Sequence, residues 1–180
     1  MKPCLVSYSD IQGGAGRAAY RLHRALRQES VDSTMLVARK VSDDHSVVSS
    51  ESKMYRTRAT MMTQISDAVM YLQKTDNPGA GSINWLPSPL FSVINASQSE
   101  VVNLHWVNAE ALSIKQIGQI TKPIVFTLHD MWAFCGTEHY CADTESSRFS
   151  KGYRSDNRPK GDRWLDLDRW TWNRKRKHWR

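Results

Sequence analysis

The chain has 180 residues, of which 40% are hydrophobic, and its formal net charge at pH 7 is +7. This length suits one domain with a buried core and is short for two. No stretch approaches the roughly 18 apolar residues that a membrane-spanning helix needs, which argues against a membrane-embedded class. Residues 1–10 lack the apolar core of a secretory signal, and three cysteines cannot all pair. We therefore expect a cytoplasmic protein with reduced cysteines.

The first half of the chain shows the pattern strand, glycine turn, helix, strand. A short apolar run at residues 2–7 precedes three glycines, and apolar residues then recur every three or four positions up to Leu26. A second apolar run covers residues 34–38. This order is typical of a βαβ unit, so we predict an α/β fold with a Rossmann-like parallel sheet flanked by helices.

The rest of the chain adds further strands and helices. Apolar side chains at residues 54–73 recur at helical spacing, and we predict that this methionine-rich stripe faces the core; its members are Met61, Met62, Ile65, Ala68, Val69 and Leu72. We also predict a long loop at 77–89, strands at 101–104 and 123–128, a helix at 109–120, and a polar, basic and aromatic extension at 131–180 that combines a loop at 146–161 with a helix at 166–179.

Polar residues follow three of the predicted strands. His105 follows the third strand, His129 and Asp130 follow the fourth, and the glycine turn follows the first. Ligands of open parallel sheets bind beyond the carboxyl ends of the strands, so we expect these groups to share one edge. A single histidine there is commonly a hydrogen-bonded structural residue, but two beside a glycine turn favour a functional site.

The glycine turn comprises Gly13, Gly14 and Gly16, with Arg17 directly after it. Backbone N–H groups at a helix N-terminus attract anions, which favours a phosphate ligand. The spacing is neither the dinucleotide pattern G-x-G-x-x-G nor a P-loop, which would need a following lysine. A tight strand-to-helix turn without a ligand remains the alternative at this point.

Two further features bear on metals and polyanions. Cys135, His139 and Cys141 form a C-x3-H-x-C pattern, but C-x2-C spacing is absent and we expect no bound metal. Residues 148–180 hold twelve Lys or Arg against four Asp, interleaved with Trp. This composition suits a helix that packs its tryptophans inward, an anionic membrane surface, or nucleic acid, and we favour them in that order.

Several stretches together resemble one known family. They are GGAGRAAYRLHRAL, VVNLHWVNAEALSI, KPIVFTLHDMWAFCGTEHY and DLDRWTWNRKRKHW. They are similar to the N-terminal half of bacterial family-4 glycosyltransferases of colanic acid, O-antigen and capsular polysaccharide synthesis. The resemblance implies a GT-B fold, with residues 1–180 as the acceptor-side domain and the C-terminal donor domain absent. A chain of this extent would be inactive by itself.

The resemblance also implies the reaction and the roles of residues. The expected reaction is retaining transfer of a sugar from a nucleotide-sugar to a lipid-linked or oligosaccharide acceptor, at the inner face of the plasma membrane and without cofactor or essential metal. The implied catalytic residues are His129 and Asp130. The donor-diphosphate loop would comprise Gly13, Gly14, Gly16 and Arg17, and the acceptor side would comprise His105, Trp106, Trp132 and His139.

Two expectations concern partners. A domain with an exposed cleft can self-associate, and the basic region at 148–180 can contact an anionic membrane surface. The alternative to a glycosyltransferase is a non-enzymatic basic module that contacts nucleic acid or anionic membrane.

Overall fold

A five-stranded parallel sheet forms the centre of the protein. The computed structural model describes residues 1–49, 53–142 and 144–179, so Arg180 of the predicted basic region and residue 143 of the predicted extension lie outside it. In chain order the elements are β1 (Pro3–Ser9), α1 (Gly13–Gln28), β2 (Thr34–Arg39), β3 (Val47–Val48), α2 (Lys53–Met70), β4 (Gln73–Lys74), α3 (Leu90–Ala96), β5 (Val101–Leu104), α4 (Ile114–Ile117), β6 (Ile124–Phe126), α5 (Arg148–Lys151), β7 (Arg163–Trp164) and α6 (Leu167–His178).

The strand order is β3-β2-β1-β5-β6, and every neighbouring pair in this sheet is parallel. Val6 in β1 lies opposite Leu36 on one side and Leu104 on the other, which centres the sheet on β1. The predicted α/β, Rossmann-like sheet flanked by helices is thereby confirmed. The short β4 and β7 pair with each other in a separate antiparallel ladder.

Each face of the sheet carries its own core. On one face Leu5 and Met35 pack against α1 through the fully buried Ala19. On the other face Val6 and Leu104 belong to a larger cluster that includes Trp132. Alternation along the strands therefore sends residues 5, 7 and 9 of β1 toward the α1 side.

The predicted helix at 109–120 is wrong in extent. Ala109 and Glu110 have φ values of 53° and 59°, which no right-handed helix accommodates. In this range the structure has only the short helix α4, which starts after Ser113. The Ser113 hydroxyl accepts from the Gln116 backbone N–H in a capping box.

Helix α2 is present where periodicity predicts it, but only part of the predicted stripe faces the domain, since Met62 and Val69 are half-buried. Met61, Ile65 and Leu72 are exposed, whereas Ser66 is buried. The side of the helix that meets the domain is mixed: it carries the half-buried Met62 and Met70 beside Thr63, whose Oγ1 donates to the Ala109 carbonyl at 3.1 Å. In the described part of the chain, no helix combines the length and apolarity needed to cross a bilayer.

Candidate functional site

Backbone hydrogen bonds continue past the ends of the central strands and fix the positions of the residues that directly follow β5 and β6. His105 N donates to the Val6 carbonyl at 2.9 Å, and Thr127 N donates to the Leu104 carbonyl at 2.8 Å. The carboxyl ends of β1, β5 and β6 are therefore held level with each other. As expected from the sequence, His105 and His129 meet at this edge.

The two histidines contact each other directly. His105 Nδ1 lies 2.9 Å from His129 Nε2, and the rings are stacked with centroids 5.2 Å apart. Burial, and then the neighbouring His129, lower the pKa of His105 to about 4. A neutral His105 has one N–H and one lone pair, so its Nδ1 either donates to or accepts from His129 Nε2, and this bond holds the two rings together. His129 itself is half-buried at the edge of the sheet.

Asp130 belongs to a second hydrogen-bond network beside the first. It accepts from Trp106 Nε1 at 2.9 Å, from Trp132 N at 3.0 Å and from His139 Nδ1 at 2.6 Å. Burial acts to raise the pKa of Asp130, but these hydrogen bonds outweigh it and leave the pKa below its usual value. Asp130 is thus ionised and orients Trp106 and His139, whereas His105 orients His129.

His139 and Trp132 are both buried, so they support the edge from behind it. His139 Nε2 lies 2.9 Å from Ser82 Oγ, which engages its second ring nitrogen. The sulfur atoms of Cys135 and Cys141 are 3.4 Å apart. Within the ranges that the structure describes, no group of three or more His, Cys, Asp or Glu residues is arranged to hold a metal ion.

The three glycines of the turn differ in their surroundings. A Cβ at Gly16 would lie 2.6 Å from the Ser9 carbonyl oxygen, so this glycine allows α1 to approach β1 closely. Gly13 has a φ of 71°, and Gly13 and Gly14 both face open space. Gln12 precedes the helix without a side-chain capping bond, and the first turn contains no acidic residue. The start of α1 is therefore open to an anion at Gly13 and Gly14.

Asp10 is a structural part of this edge that the sequence interpretation missed. It is fully buried and accepts from the backbone N–H groups of Ile11 at 2.9 Å, Val41 at 3.0 Å and Ser42 at 2.8 Å. Burial acts to raise its pKa, but hydrogen bonds led by those of Ser42 leave the pKa lowered. Its position between β1 and the glycine turn was the available signal in the sequence. Asp10 ties the turn to the end of β2.

A cleft of about 1110 Å³ opens beside this edge. The end of β2 and the following residues, α2, and loops at 87–89 and 109–111 line it, and it exposes the cationic side chains of Arg39, Lys40 and Arg58. Tyr8 also lines the cleft and packs edge-on against Trp106, with ring centroids 5.8 Å apart. Neither His105 nor His129 lines the cleft.

The basic helix α6 uses several of its cations inside the molecule. Lys175 is buried, and its Nζ donates to the carbonyl oxygens of Trp132, Cys135 and Gly136. Arg174 lies over the ring of Trp85 at 4.6 Å. These contacts favour the interpretation of α6 as a packed helix over that of a nucleic-acid surface.

Comparison with known proteins adds no identification. No protein-family model, curated protein or solved structure matches the chain. The geometry of the edge, the glycine turn and the cleft therefore carries the functional argument.

Proposed function

We propose that the chain is the acceptor-side domain of a retaining GT-B glycosyltransferase that moves a sugar from a nucleotide-sugar to a lipid-linked glycan in surface polysaccharide synthesis. One observation carries the proposal. The hydrogen-bonded pair His105–His129 stands at the carboxyl ends of β5 and β6, on the same sheet edge as the uncapped glycine turn at the start of α1. The sequence resemblance to family-4 enzymes supports the same function.

The charges at the edge suit glycosyl transfer. A departing nucleoside diphosphate gains negative charge, which the N–H groups and dipole at Gly13 and Gly14 would stabilise, with Arg17 adding positive charge. His129, held by the bond between its Nε2 and His105, would hydrogen-bond to the sugar near the reacting carbon. Asp130 would act through Trp106 and His139, as a positioning residue.

The cleft is suited to the acceptor. Its volume of about 1110 Å³ accommodates a short saccharide with a linking group. Arg39, Lys40 and Arg58 would bind the phosphate groups of a lipid diphosphate linkage. Tyr8 would form the boundary between the acceptor and the donor sugar. These features support a phosphate-bearing acceptor.

The test measures sugar transfer in the full-length gene product. We expect His129→Ala to lower kcat by about 10²–10³-fold, because it removes a donor aimed at developing charge. His178→Ala, a half-buried histidine of α6, is the matched control and should leave kcat unchanged. Gly14→Val should raise KM for the nucleotide-sugar, whereas Ala18→Val, one turn later on the exposed side of α1, should not. Full activity in both site variants would contradict the proposal.

A further inference from the structure

The loop at 131–142 holds two cysteine thiols against each other. The sulfur atoms of Cys135 and Cys141 are 3.4 Å apart, and Cys141 Sγ also donates to Met131 Sδ at 3.9 Å. A disulfide bond has a sulfur–sulfur distance of about 2.05 Å, so the two sulfur atoms would have to approach by about 1.4 Å to form one. The proposed function uses neither thiol.

Backbone hydrogen bonds fold this loop back on itself and thereby bring the two thiols together. Met131 N donates to the His139 carbonyl at 2.9 Å, and Cys135 N donates to the Met131 carbonyl at 3.0 Å. His139 N donates in turn to the Ala80 carbonyl at 2.9 Å. Lys175 Nζ donates to the Cys135 carbonyl at 3.0 Å. The contact between the sulfur atoms is therefore a product of the fold of the loop.

The two thiols differ in their exposure to solvent. Cys135 is fully buried, whereas Cys141 is half-buried and follows the exposed Tyr140. Burial, and then contact with Cys141, raise the pKa of the Cys135 thiol. A dissolved oxidant therefore reaches Cys141 first. Cys135 lies behind it, at the distance from which it can attack a group that becomes attached to the Cys141 sulfur.

Cys4 offers a comparison within the same chain. It is buried in the core of the sheet, and burial raises the pKa of its thiol to about 12. Among the described residues, the core cluster to which Cys4 belongs contains no second cysteine. Cys4 should therefore stay reduced under conditions that oxidise the pair in the loop.

We propose that Cys135 and Cys141 form a reversible intramolecular disulfide by exchange with a small disulfide such as oxidised glutathione. The Cys141 thiol loses its proton and attacks one sulfur of the glutathione disulfide, which gives a mixed disulfide and releases one glutathione. The Cys135 thiol then loses its proton and displaces the second glutathione from Cys141. The two cysteines are oxidised, the glutathione disulfide is reduced to two glutathione molecules, and these take up the two protons.

The disulfide restrains the loop that supports the edge of the sheet. It ties position 141 to position 135, which Lys175 of α6 already holds. His139 lies between the two cysteines, and its Nδ1 is 2.6 Å from Asp130. Oxidation thus stabilises the segment that orients Asp130, and reduction releases it. The inference does not rest on the proposed function, because thiol exchange needs no sugar substrate.

Counting of thiols in the purified chain tests the inference. The chain is incubated with oxidised glutathione, unfolded, alkylated with iodoacetamide and weighed by mass spectrometry. All three cysteines of the reduced chain should be alkylated, whereas in the oxidised chain only Cys4 should be. Proteolytic cleavage after Glu138 separates Cys135 from Cys141 in the sequence. Two fragments that stay linked until a reductant is added therefore locate the bond.

Three single substitutions separate the two steps of the exchange. Cys135→Ser should retain glutathione on Cys141, because no second thiol displaces it, and Cys141→Ser should leave Cys135 reduced. Cys4→Ser is the matched control and should form the disulfide as the parent chain does. Circular dichroism melting checks that each variant is folded.

The same melting experiment measures the restraint on the loop. The oxidised parent chain should melt about 2–8 °C above the reduced one, and a reductant should reverse the shift. An oxidised chain that melts no higher than the reduced one would contradict the stabilisation of the loop.

Three results would overturn the disulfide itself. They are alkylation of all three cysteines in the parent chain after the incubation, glutathione that accumulates on Cys141 of the parent chain as it does in Cys135→Ser, and a disulfide that joins two chains. The first would reduce the contact between the sulfur atoms to packing. His129→Ala should form the disulfide normally, so failure of sugar transfer and failure of disulfide formation are distinguishable.

Discussion

Replacement of Lys175 by Met tests how the loop at 131–142 is held in place. The Lys175 ammonium is buried beneath this loop and lies 3.8 Å from the centre of the Trp132 ring. Its three protons match three carbonyl oxygens of the loop, those of Trp132, Cys135 and Gly136. Methionine keeps most of the side-chain volume but donates no hydrogen bond.

The size of the effect follows from those three carbonyl groups. A buried carbonyl that loses its donor costs about 1–3 kcal/mol, and entry of water recovers part of this. Removal of a buried charge offsets a further part. We therefore expect Lys175→Met to lower the free energy of unfolding by about 3–5 kcal/mol. In a chain of this size that corresponds to a fall in Tm of about 6–20 °C.

Urea and thermal denaturation measure the change. Lys177→Met, two residues later and exposed, is the matched control and should stay within about 0.5 kcal/mol of the parent chain. Burial lowers the pKa of Lys175 to about 7, whereas an unfolded lysine has a pKa near 10.4. The unfolded chain thus binds more protons between these values, and parental stability should rise with pH across that window. Lys175→Met should lack this rise.

The reasoning is refuted if Lys175→Met and Lys177→Met unfold within about 1 kcal/mol of each other. An unchanged pH dependence in Lys175→Met would show separately that another group titrates in that range.

Three further predictions concern the edge of the sheet and its surroundings. Gly16→Ala should lower the free energy of unfolding by about 1–3 kcal/mol, because its Cβ meets the Ser9 carbonyl, whereas Gly14→Ala faces open space and should be neutral or stabilising in urea denaturation. Asp10→Asn should cost about 2–4 kcal/mol at pH 7. Since the folded pKa of Asp10 is lowered, its contribution is present above the unfolded pKa of about 3.9 and is lost as pH falls through the folded pKa, so the two chains should converge in acid. Ser113→Ala should cost about 0.5–2 kcal/mol through loss of the capping box, and an equal melting temperature would contradict this.

The sequence predicts the sheet because its signals are local. The apolar run at β1, the turn of three glycines and the stripe of α1 each depend on neighbouring residues, so periodicity shows them. Strands β3, β4 and β7 have two residues each, which is too short for any period. The stripe of α2 was visible, but periodicity cannot tell which side of a helix meets the domain. Ser66 and Thr63 decided that through tertiary contacts.

The sequence predicts where the site lies, but it does not predict which side chains hydrogen-bond to each other there or which segments line the cleft. Strand ends in a parallel sheet meet at one edge, which is why His105 and His129 could be placed together. Which residue orients His129 depends on side-chain directions after the strands end, and no spacing in the sequence distinguishes His105 from Asp130 in this respect. The cleft joins the end of β2 to α2 and residues near 110, and no local pattern links segments so far apart.

Because α6 packs beneath the loop at 131–142, the order in which the chain is synthesised affects when this loop can be held in place. Gly136 allows the Asp168 backbone to approach, since a Cβ there would lie 2.6 Å from Asp168 Cα, and Lys175 then holds the loop carbonyls. His139 and Asp130 are translated long before Lys175. At about 5–20 residues per second, the ribosome needs several seconds to add the intervening segment. A nascent chain can therefore have its sheet complete while the loop that carries His139 is still without its anchor.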